Sequence, residues 1–407
     1  MTYKSTLFSV HPLDPYGSKV GGIETHVRQL LKYCPPDMRL VLIGVDDSGK
    51  RKLGELTEVE LYGGRFLFMP IMHCQHEAVN SAAKSLFQST TLRFFVNFIR
   101  FSGRIRALAK EMPSSFDIQR YEFSWLCRLF GFDYVLTTHG DANPDQPMDS
   151  LLSRYWFLHK FNEKHAVHGA QHVYSVNQQQ TDRIRADYPK AAAKTDFMTV
   201  SVDDQLFKPT PYLQLDGPLK VAFVGRLDTF KRPGMMFKVI AELARQTDDQ
   251  VEFHYVGAAK PHSFAEFSSI AHLSTCHGFK TSADVAKLWP QWHMGIVTSV
   301  FEGMPVYVLE ALCAGRPVCS VNLPQLSLVI DNDVNGAVLT ANEDSEQIVQ
   351  QLAQQMLQYW QKIRSGQLQP EVVSQMVAPY KASNQMQVLF GRHQQLHSDN
   401  GDVVTQS

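Results

Sequence analysis

The sequence predicts an α/β fold of two doubly wound parallel-sheet domains that face each other across a cleft. The chain of 407 residues is longer than one hydrophobic core usually supports, which favours two domains. In both halves short apolar runs alternate with helical patterns, and this alternation is typical of parallel sheets with helices on both faces. A stretch rich in proline and glycine, residues 209–218, separates the halves and predicts a linker. Two such domains joined by a linker leave a cleft, where ligands usually bind.

Composition narrows the class of protein. Hydrophobic residues make up 44% and charged residues 19% of the chain, as expected of a soluble globular protein. The formal net charge of −1 provides no overall attraction to nucleic acid. The six cysteines are far apart and form no C-x-x-C pair, which favours reduced thiols over disulfides or a zinc site. We find neither a signal-peptide core nor an apolar run long enough to span a bilayer, so we expect a cytoplasmic protein.

The first half begins with a predicted strand at Thr6–Val10, a glycine-rich loop and a helix with an apolar face at Ile23, Val27, Leu30 and Leu31. The pair Gly21-Gly22 precedes this helix and would let a bound group approach the backbone and the helix N-terminus. An ordinary strand-to-helix turn is the alternative. Further strands are predicted at residues 40–45, 66–70, 117–119, 133–138 and 172–176, with a short one near 198–202, and further helices at 153–170 and from 178.

The segment Arg93–Lys110 combines an aromatic stripe with basic residues. Its apolar side chains fall on one helical face: Phe94, Phe98, Phe101, Ile105 and Leu108. Arg93, Arg100 and Arg104 flank this face and are candidates for the acceptor side of a binding site. Such a helix could lie on an anionic membrane surface or receive an acidic acceptor. It could equally be a core-facing helix with a solvated basic edge.

Two polar residues follow the strand predicted at 133–138. Ligands of open α/β sheets bind beyond the carboxyl ends of strands, so His139 and Asp141 are candidates for contacting a substrate. A structural histidine that caps the strand is the alternative for His139. The spacing of His165, His168 and His172 could hold a metal, but no carboxylate or cysteine completes the set, and we predict no metal site.

The second half repeats the strand and helix alternation. Strands are predicted at residues 219–224, 251–256, 276–279 and 294–299, a helix at 234–245, and a helical tail at 343–397 that is broken at Pro370. A further helix, opened by Pro305 and ended at Gly315, follows the turn that contains Glu302, and a new apolar run begins at Pro317.

Charged residues of the second half point to a ligand with a diphosphate and hydroxyl groups. Arg226 and Lys231 lie between a strand and a helix, where two cations complement phosphate oxygens. Glu302 and Glu310 could accept hydrogen bonds from the paired hydroxyls of a sugar and a ribose. They could instead form a general acid/base pair. Together the four residues favour a nucleotide-diphosphate-sugar site.

Four segments carry a resemblance to a known family: GGIETHVRQL, VGRLDTFKRP, SVDDQLFKP and FEGMPVYVLEALCAGRPV. They are similar to the GT-B retaining glycosyltransferases called the glycosyl transferases group 1, or family 4. The resemblance implies two Rossmann-like domains, residues 1–212 for the acceptor and 213–375 for the nucleotide sugar. It also implies that residues 376–407 return to the first domain as a helix with a polar tail.

The resemblance assigns roles to residues of the second domain. Arg226 and Lys231 would neutralise the donor diphosphate, and Glu310 would bind the ribose hydroxyls. Glu302, with the backbone of Gly303 and Met304 before Pro305, would hold the hydroxyls of the transferred sugar.

In the first domain the resemblance places Gly22 against the diphosphate and His139 beside the donor sugar. The implied catalytic residues are therefore His139, Arg226, Lys231 and Glu302. Family members generally need no metal or other cofactor, and their co-substrate is the nucleotide sugar.

One loop departs from the family pattern. The Gly-Gly and Glu that usually follow the A-G-x-P-V strand are absent from Asn322–Leu328, which contains neither glycine nor an acid. The contact of this loop with the donor, and with it the sugar specificity, is therefore not predicted.

The predicted activity is transfer of a hexose-type sugar from a UDP- or GDP-sugar to a hydroxyl of a glycan or lipid-linked acceptor, with retention and without metal. The expected setting is synthesis of bacterial lipopolysaccharide, capsule or exopolysaccharide. The expected location is the cytoplasm, with peripheral contact to the inner membrane. The alternative is a non-catalytic or regulatory GT-B subunit that binds a nucleotide.

Overall fold

The computed structural model describes residues 3–17, 22–74, 90–139, 156–300, 302, 304–340 and 344–404. The chain forms two compact units: Met1–Val200 with Gln385–Ser407, and Ser201–Asn384. The predicted α/β class with two parallel-sheet domains is confirmed.

The first unit is built on an eight-stranded sheet of order β3-β4-β2-β1-β5-β6-β7-β8. The strands are β1 (Ser5–Val10), β2 (Met38–Asp46), β3 (Thr57–Leu61), β4 (Gly64–His73), β5 (Ser114–Ile118), β6 (Tyr134–Thr138), β7 (His172–Ser175) and β8 (Thr195–Phe197). All neighbours pair in parallel except β3, which is antiparallel to β4 at the sheet edge. The sequence analysis missed β3 because its alternating charged residues, TEVEL, lack an apolar run.

Helices cover both faces of this sheet, and two buried clusters lie beneath them. The helices are α1 (Gly22–Tyr33), α2 (Thr90–Ala109), α3 (Ser124–Phe130), α4 (Trp156–Gly169), α5 (Gln178–Asp187) and, at the end of the chain, α11 (Ala382–Val404). Met386, Leu389 and Phe390 of α11 are packed in the same cluster as β1 and α1. Apolar side chains at helical spacing therefore attach the last helix to the first unit.

The second unit has a six-stranded, wholly parallel sheet of order β11-β10-β9-β12-β13-β14. Its strands are β9 (Leu219–Val224), β10 (Val251–Val256), β11 (Ser274–Cys276), β12 (Met294–Val297), β13 (Val318–Ser320) and β14 (Gly336–Val338). Its helices are α6 (Pro233–Thr247), α7 (Ser282–Leu288), α8 (Val306–Cys313), α9 (Ser345–Arg364) and α10 (Pro370–Gln375). The strand order is that of a Rossmann sheet: strands are added in one direction from β9 to β11 and in the opposite direction from β12 to β14.

The boundaries between the two units lie at residues 200/201 and 384/385. The sequence analysis placed them at 212/213 and 375/376. Residues of the expected linker are held within the second unit by Arg316, which is fully buried. Its guanidinium donates to the carbonyls of Thr210 (2.7 Å), Pro211 (3.2 Å) and Trp292 (2.7 Å), among others. It also lies over the ring of Tyr212, 4.8 Å from the centroid. Burial lowers the pKa of Arg316 to about 10, so this side chain is still charged at neutral pH.

We expect Arg316→Met to lower the free energy of unfolding by about 3 kcal/mol, because several buried carbonyls lose their donor. Urea unfolding followed by tryptophan fluorescence measures this change. Arg364→Met, at an exposed arginine of α9, is the matched control and should change stability by less than about 0.5 kcal/mol. Equal losses in the two variants would contradict the anchoring role of Arg316.

Candidate functional site

The candidate site of the second unit lies at the reversal point of its sheet, between β9 and β12, where the strand order reverses. Ligands of open parallel sheets bind at this point, beyond the carboxyl ends of the strands. Two loops begin there, residues 225–232 after β9 and residues 298–305 after β12. Gly225 has φ 151° and donates its N–H to Val256, so this residue type is required where the first loop leaves the sheet.

Hydrogen bonds to backbone carbonyls hold these two loops against each other. Arg232 adopts a left-handed conformation (φ 46°), and its Nε donates to the carbonyl of Thr298 at 2.6 Å. Thr298 Oγ1 donates in return to the carbonyl of Lys231 at 2.7 Å. The N–H of Val300 donates to the carbonyl of Phe230 at 2.7 Å. These hydrogen bonds therefore fix the position of Lys231 relative to the residues that follow β12.

The main consequence is an ion pair between Lys231 and Glu302, whose side chains are 18% and 11% exposed. Lys231 Nζ contacts Glu302 Oε1, and Ser299 Oγ donates to the same oxygen at 2.7 Å. Asp228 helps to shape the loop by accepting from the N–H of Lys231 at 3.3 Å. The tertiary structure thus brings together a cation and a carboxylate that are 71 positions apart in sequence.

Gln325 supports the backbone of this site. Its Nε2 donates to the carbonyl of Glu302 at 2.6 Å. Gln325 lies in the segment that lacks the family's glycines and acid. A glutamate could not make this contact when ionised, because a carboxylate only accepts hydrogen bonds. The departure from the family pattern therefore brings a new donor to the loop that carries Glu302.

We expect Gln325→Glu to place a carboxylate beside the carbonyl of Glu302 and to displace that loop. The predicted result is a rise of about tenfold in the KM for the donor, equivalent to the loss of about one hydrogen bond. Gln291→Glu, outside this loop, is the control. An unchanged KM in Gln325→Glu would show that this contact does not position Glu302.

Glu310 lies on α8, whose residues from Tyr307 to Cys313 are all buried. Glu310 is 8% exposed. Within the described ranges, no hydrogen bond or ion pair reaches its carboxylate. Burial raises the pKa of Glu310 to about 8. An isolated buried carboxyl group of this kind costs stability when it is ionised.

The sequence analysis also predicted Arg226, Gly303, Met304 and Pro305 as site residues of the second unit. Arg226 is 88% exposed and its guanidinium lies 3.4 Å from Asp228, on the same loop as Lys231. Pro305 precedes α8 as its N-terminal cap residue, and Met304 is half-buried beside it. Gly303 lies outside the described residues.

The first unit has its own group of polar residues at strand ends. His11 follows β1, Gln119 follows β5 and His139 follows β6. His139 Nε2 lies 2.5 Å from Gln119 Oε1, and its ring contacts the edge of His26 at 5.4 Å between centroids. Burial and the neighbouring rings of His26 and His11 hold the pKa of His139 well below its ordinary value. His139 is therefore neutral at physiological pH.

Gly21, Gly22 and Asp141 were also predicted as site residues of the first unit. Gly22 begins α1 and is exposed, and a methyl group built there meets no atom within 4 Å. Among the described residues, space is therefore open beside the backbone at this helix N-terminus. Gly21 and Asp141 lie outside the described residues.

Helix α2 contains nearly all of Arg93–Lys110, the segment that could face either the core or a membrane or acceptor. Phe94, Phe98 and Ile105 are fully buried, so the aromatic stripe faces the core and the membrane-facing interpretation of that stripe is wrong. Arg93, Arg100 and Arg104 are exposed. They lie beside a different apolar set, Leu92, Val96 and Ile99, which are 41%, 57% and 42% exposed.

The sequence analysis missed Arg232, Ser299 and Gln325. The first two are visible only as neighbours of Lys231 and Glu302, and their roles depend on contacts between loops. Gln325 could have been identified from the sequence, since it occupies a segment that departs from the family pattern. Across the part of the chain that the structure describes, no group of three His, Cys, Asp or Glu side chains is arranged to hold a metal ion.

Residues 218–358 match the sequence model of the family described as glycosyl transferases group 1. No curated protein matches the chain in sequence.

Several solved structures are similar to this chain. The sucrose-phosphate synthase of Thermosynechococcus elongatus has a TM-score of 0.69 at 14% identity, over 97% of this chain and 100% of that one. HepE of Anabaena, solved in complex with UDP and glucose, has a TM-score of 0.61 at 14% identity, over 95% of this chain and 98% of that one. The lipopolysaccharide outer core galactosyltransferase WaaB has a TM-score of 0.58 at 14% identity, over 94% of this chain and 97% of that one.

At these identities the structural matches establish the fold, and the family model covers most of the second unit. Residues 218–358 therefore match the glycosyl transferases group 1 family, and the chain has the GT-B fold of these solved structures.

Proposed function

We propose that this protein transfers a hexose-type sugar from a UDP- or GDP-sugar to a hydroxyl of a glycan or lipid-linked acceptor, with retention and without a metal ion. The proposed setting is synthesis of a bacterial lipopolysaccharide, capsule or exopolysaccharide. The similarity in fold to a lipopolysaccharide galactosyltransferase and to a protein solved with UDP and glucose supports these choices.

The observation that carries the proposal is the contact between Lys231 and Glu302 at the reversal point of the second sheet. In a nucleotide sugar, the anomeric carbon is bonded directly to a phosphate oxygen, so the sugar hydroxyls and the phosphate lie a few atoms apart. A cation and a carboxylate in contact match that arrangement. Lys231 would stabilise the negative charge that develops on the departing diphosphate, and Glu302 would accept hydrogen bonds from the sugar.

The remaining residues complete this assignment. Arg226 is exposed on the same loop as Lys231, where its planar guanidinium is free to reach a second phosphate oxygen. Glu310 would accept hydrogen bonds from the two ribose hydroxyls.

The direct test measures release of nucleoside diphosphate by the purified full-length chain with UDP-, GDP- and ADP-hexoses and a panel of glycan and lipid-linked acceptors. We expect turnover with one donor, insensitivity to EDTA, and a product with the donor's anomeric configuration by NMR. Inversion at the anomeric carbon or inhibition by EDTA would contradict the retaining, metal-independent mechanism. Nucleotide binding without turnover would favour the non-catalytic alternative.

We also propose that the exposed face of α2 binds an anionic membrane surface on the cytoplasmic side of the inner membrane. Leu92, Val96 and Ile99 recur at helical spacing and are exposed. Arg93, Arg100 and Arg104 border them, and the sequence of α2 contains no acidic residue. Apolar side chains with flanking arginines are the combination that binds at the interface of anionic bilayers. None of the helices in the described ranges is long and apolar enough to cross a membrane.

Vesicle flotation tests this surface. We expect binding to vesicles with 30% phosphatidylglycerol to exceed binding to pure phosphatidylcholine by at least about tenfold, given roughly 1 kcal/mol for each arginine near the surface. Exchanging Arg93, Arg100 and Arg104 for glutamine should remove the difference, and Val96→Ser with Ile99→Ser should weaken binding. Phe279→Ser, at an equally exposed residue of the second unit, should have no effect. Equal binding to both vesicles would overturn the proposal.

A further inference from the structure

Arg232 occupies a backbone position that is uncommon for a residue with a side chain. Its φ of 46° and ψ of 59° lie in the left-handed region, which glycine adopts more readily than other residues. Arg232 ends the short 3₁₀ turn Thr229–Lys231 and caps the N-terminus of α6, which begins at Pro233. Its carbonyl accepts from the N–H groups of Met235 (3.1 Å) and Met236 (3.2 Å). A glycine would meet all of these backbone requirements, so the contribution of the arginine lies in its side chain.

The guanidinium of Arg232 binds the backbone of the neighbouring loop. Nε donates to the carbonyl of Thr298 at 2.6 Å, and Nη2 donates to the carbonyl of Ser299 at 3.4 Å. Thr298 and Ser299 are 1% and 2% exposed, and a buried carbonyl without a donor is costly. In return, Thr298 Oγ1 donates to the carbonyl of Lys231 at 2.7 Å and lies 3.3 Å from that of Arg232. Each loop therefore supplies a side chain that binds the backbone of the other loop.

These hydrogen bonds adjoin the ion pair of the site on both sides. Lys231 directly precedes Arg232, and Lys231 Nζ contacts Glu302 Oε1. Ser299, whose carbonyl the guanidinium reaches, donates its hydroxyl to the same oxygen of Glu302 at 2.7 Å. Movement of one loop relative to the other would therefore separate Lys231 from Glu302. Among the described contacts the guanidinium reaches neither of these two charged groups, so its effect on them is indirect.

We propose that Arg232 is a positioning residue, whose guanidinium keeps Lys231 in contact with Glu302 by fixing the backbone of residues 298–299. This inference rests on the proposed function for the role of the ion pair in binding a donor. It deepens that function, because the affinity for a nucleoside diphosphate then depends on a side chain that acts through the backbone of its neighbours. It also explains why an arginine occupies a conformation that suits glycine.

The first test measures the chemical reactivity of Lys231 in the full-length chain without ligand. Acetic anhydride modifies lysine amines, and peptide mass spectrometry gives the rate at Lys231 relative to the exposed Lys238. We expect Lys231 to react more slowly than Lys238 in the wild type, because its side chain is 18% exposed and paired with Glu302. In Arg232→Gly the relative rate should rise about 3- to 10-fold, as for the loss of one hydrogen bond, toward the rate in Glu302→Gln. An unchanged relative rate in Arg232→Gly would overturn the proposal.

Further variants separate the guanidinium from the backbone conformation. Arg232→Gly removes the side chain and relieves the left-handed backbone, whereas Arg232→Met keeps the apolar stem and the unfavourable conformation. We expect both to increase the reactivity of Lys231, and Arg232→Met to unfold at the lower temperature. Arg232→Lys keeps a charged donor without the planar fork and should restore the wild-type reactivity in part. A purely structural role, like that of Arg316, would lower the unfolding temperature without changing the reactivity of Lys231, and this result would contradict the proposal.

Nucleotide binding adds an independent measurement. In isothermal titration calorimetry with UDP and with GDP, we expect Arg232→Gly to bind the preferred nucleotide about 3- to 10-fold more weakly than the wild type. Arg245→Met, at an arginine of α6 whose side chain is 71% exposed, is the control for both measurements and should match the wild type. Unchanged affinity in Arg232→Gly despite a more reactive Lys231 would refute the link to donor binding.

The two measurements distinguish this inference from the function on which it rests. Lysine reactivity is measured without a ligand, so it reports the position of Lys231 whether or not the protein transfers a sugar. A wild-type protein that binds neither nucleotide would contradict the proposed function. A wild-type protein that binds one of them with the same affinity as Arg232→Gly would contradict this inference alone.

Discussion

Replacing Lys231 with methionine should reduce kcat about 100- to 1,000-fold, the usual effect of removing one group that stabilises transition-state charge. Methionine keeps the length and the apolar stem of lysine but removes the charge on Nζ. Glu302 would then lose its cationic partner and retain the hydrogen bond from Ser299. The measurement is steady-state release of nucleoside diphosphate, with kcat and KM determined separately.

The matched control for Lys231→Met is Lys238→Met, at an exposed lysine of α6 in the same unit. It should leave kcat and KM unchanged. Adding Glu302→Gln completes a double-mutant cycle, in which residues that share a ligand and contact each other should be strongly non-additive. Wild-type kcat in the Lys231→Met variant would show that Lys231 is not a catalytic residue.

The Glu310→Gln variant should bind nucleoside diphosphate about 10- to 100-fold more weakly, because in the proposed assignment a charged acceptor for two ribose hydroxyls is replaced by a neutral amide. Isothermal titration calorimetry at pH 8.5 measures this loss. The affinity of the wild-type protein should decrease as the pH falls below about 8, where the free carboxyl group becomes protonated. The affinity of Glu310→Gln should not depend on pH in this way.

The same substitution should stabilise the protein without ligand. The Glu310 carboxyl group loses its proton near its ordinary pKa in the unfolded chain, but only near pH 8 in the folded one. Between these values the folded state binds more protons, so stability falls as the pH rises toward 8. Glu310→Gln lacks this penalty, and its advantage over the wild type in urea unfolding should be larger at pH 8.5 than at pH 5.5. Glu346→Gln, at an exposed glutamate of α9, is the control. An advantage that is independent of pH would contradict the assignment.

Much of the architecture could be predicted from the sequence. Apolar runs bounded by glycine and proline located strands such as β1, β6, β9 and β10 within one or two residues. Strands with a weaker apolar signal were displaced: the one expected near 198–202 is β8 (Thr195–Phe197), and the one expected at 276–279 is β11 (Ser274–Cys276). Short edge strands depend on pairing with a neighbour more than on their own residues, which is why local patterns place them poorly.

The linker shows a second limit of sequence interpretation. Its proline and glycine content predicted a linker between the domains, but a buried arginine more than 100 positions away binds its carbonyl groups. Composition reports the local preference of the backbone, whereas the attachment of a segment depends on donors that the fold supplies. Neither Arg316 nor its partners form a recognisable motif.

By itself the sequence determined the two-sheet α/β architecture, the residue types of the candidate site and the resemblance to a family, because strand and helix periodicity and short motifs are local properties. Only the tertiary structure decided which of those residues meet. It joined Lys231 to Glu302 through loop contacts and turned the aromatic stripe of α2 toward the core. It also placed Gln325 under the Glu302 loop and connected Gln119 to His139. These are contacts between residues distant in sequence, and their geometry depends on the order of strands in a folded sheet.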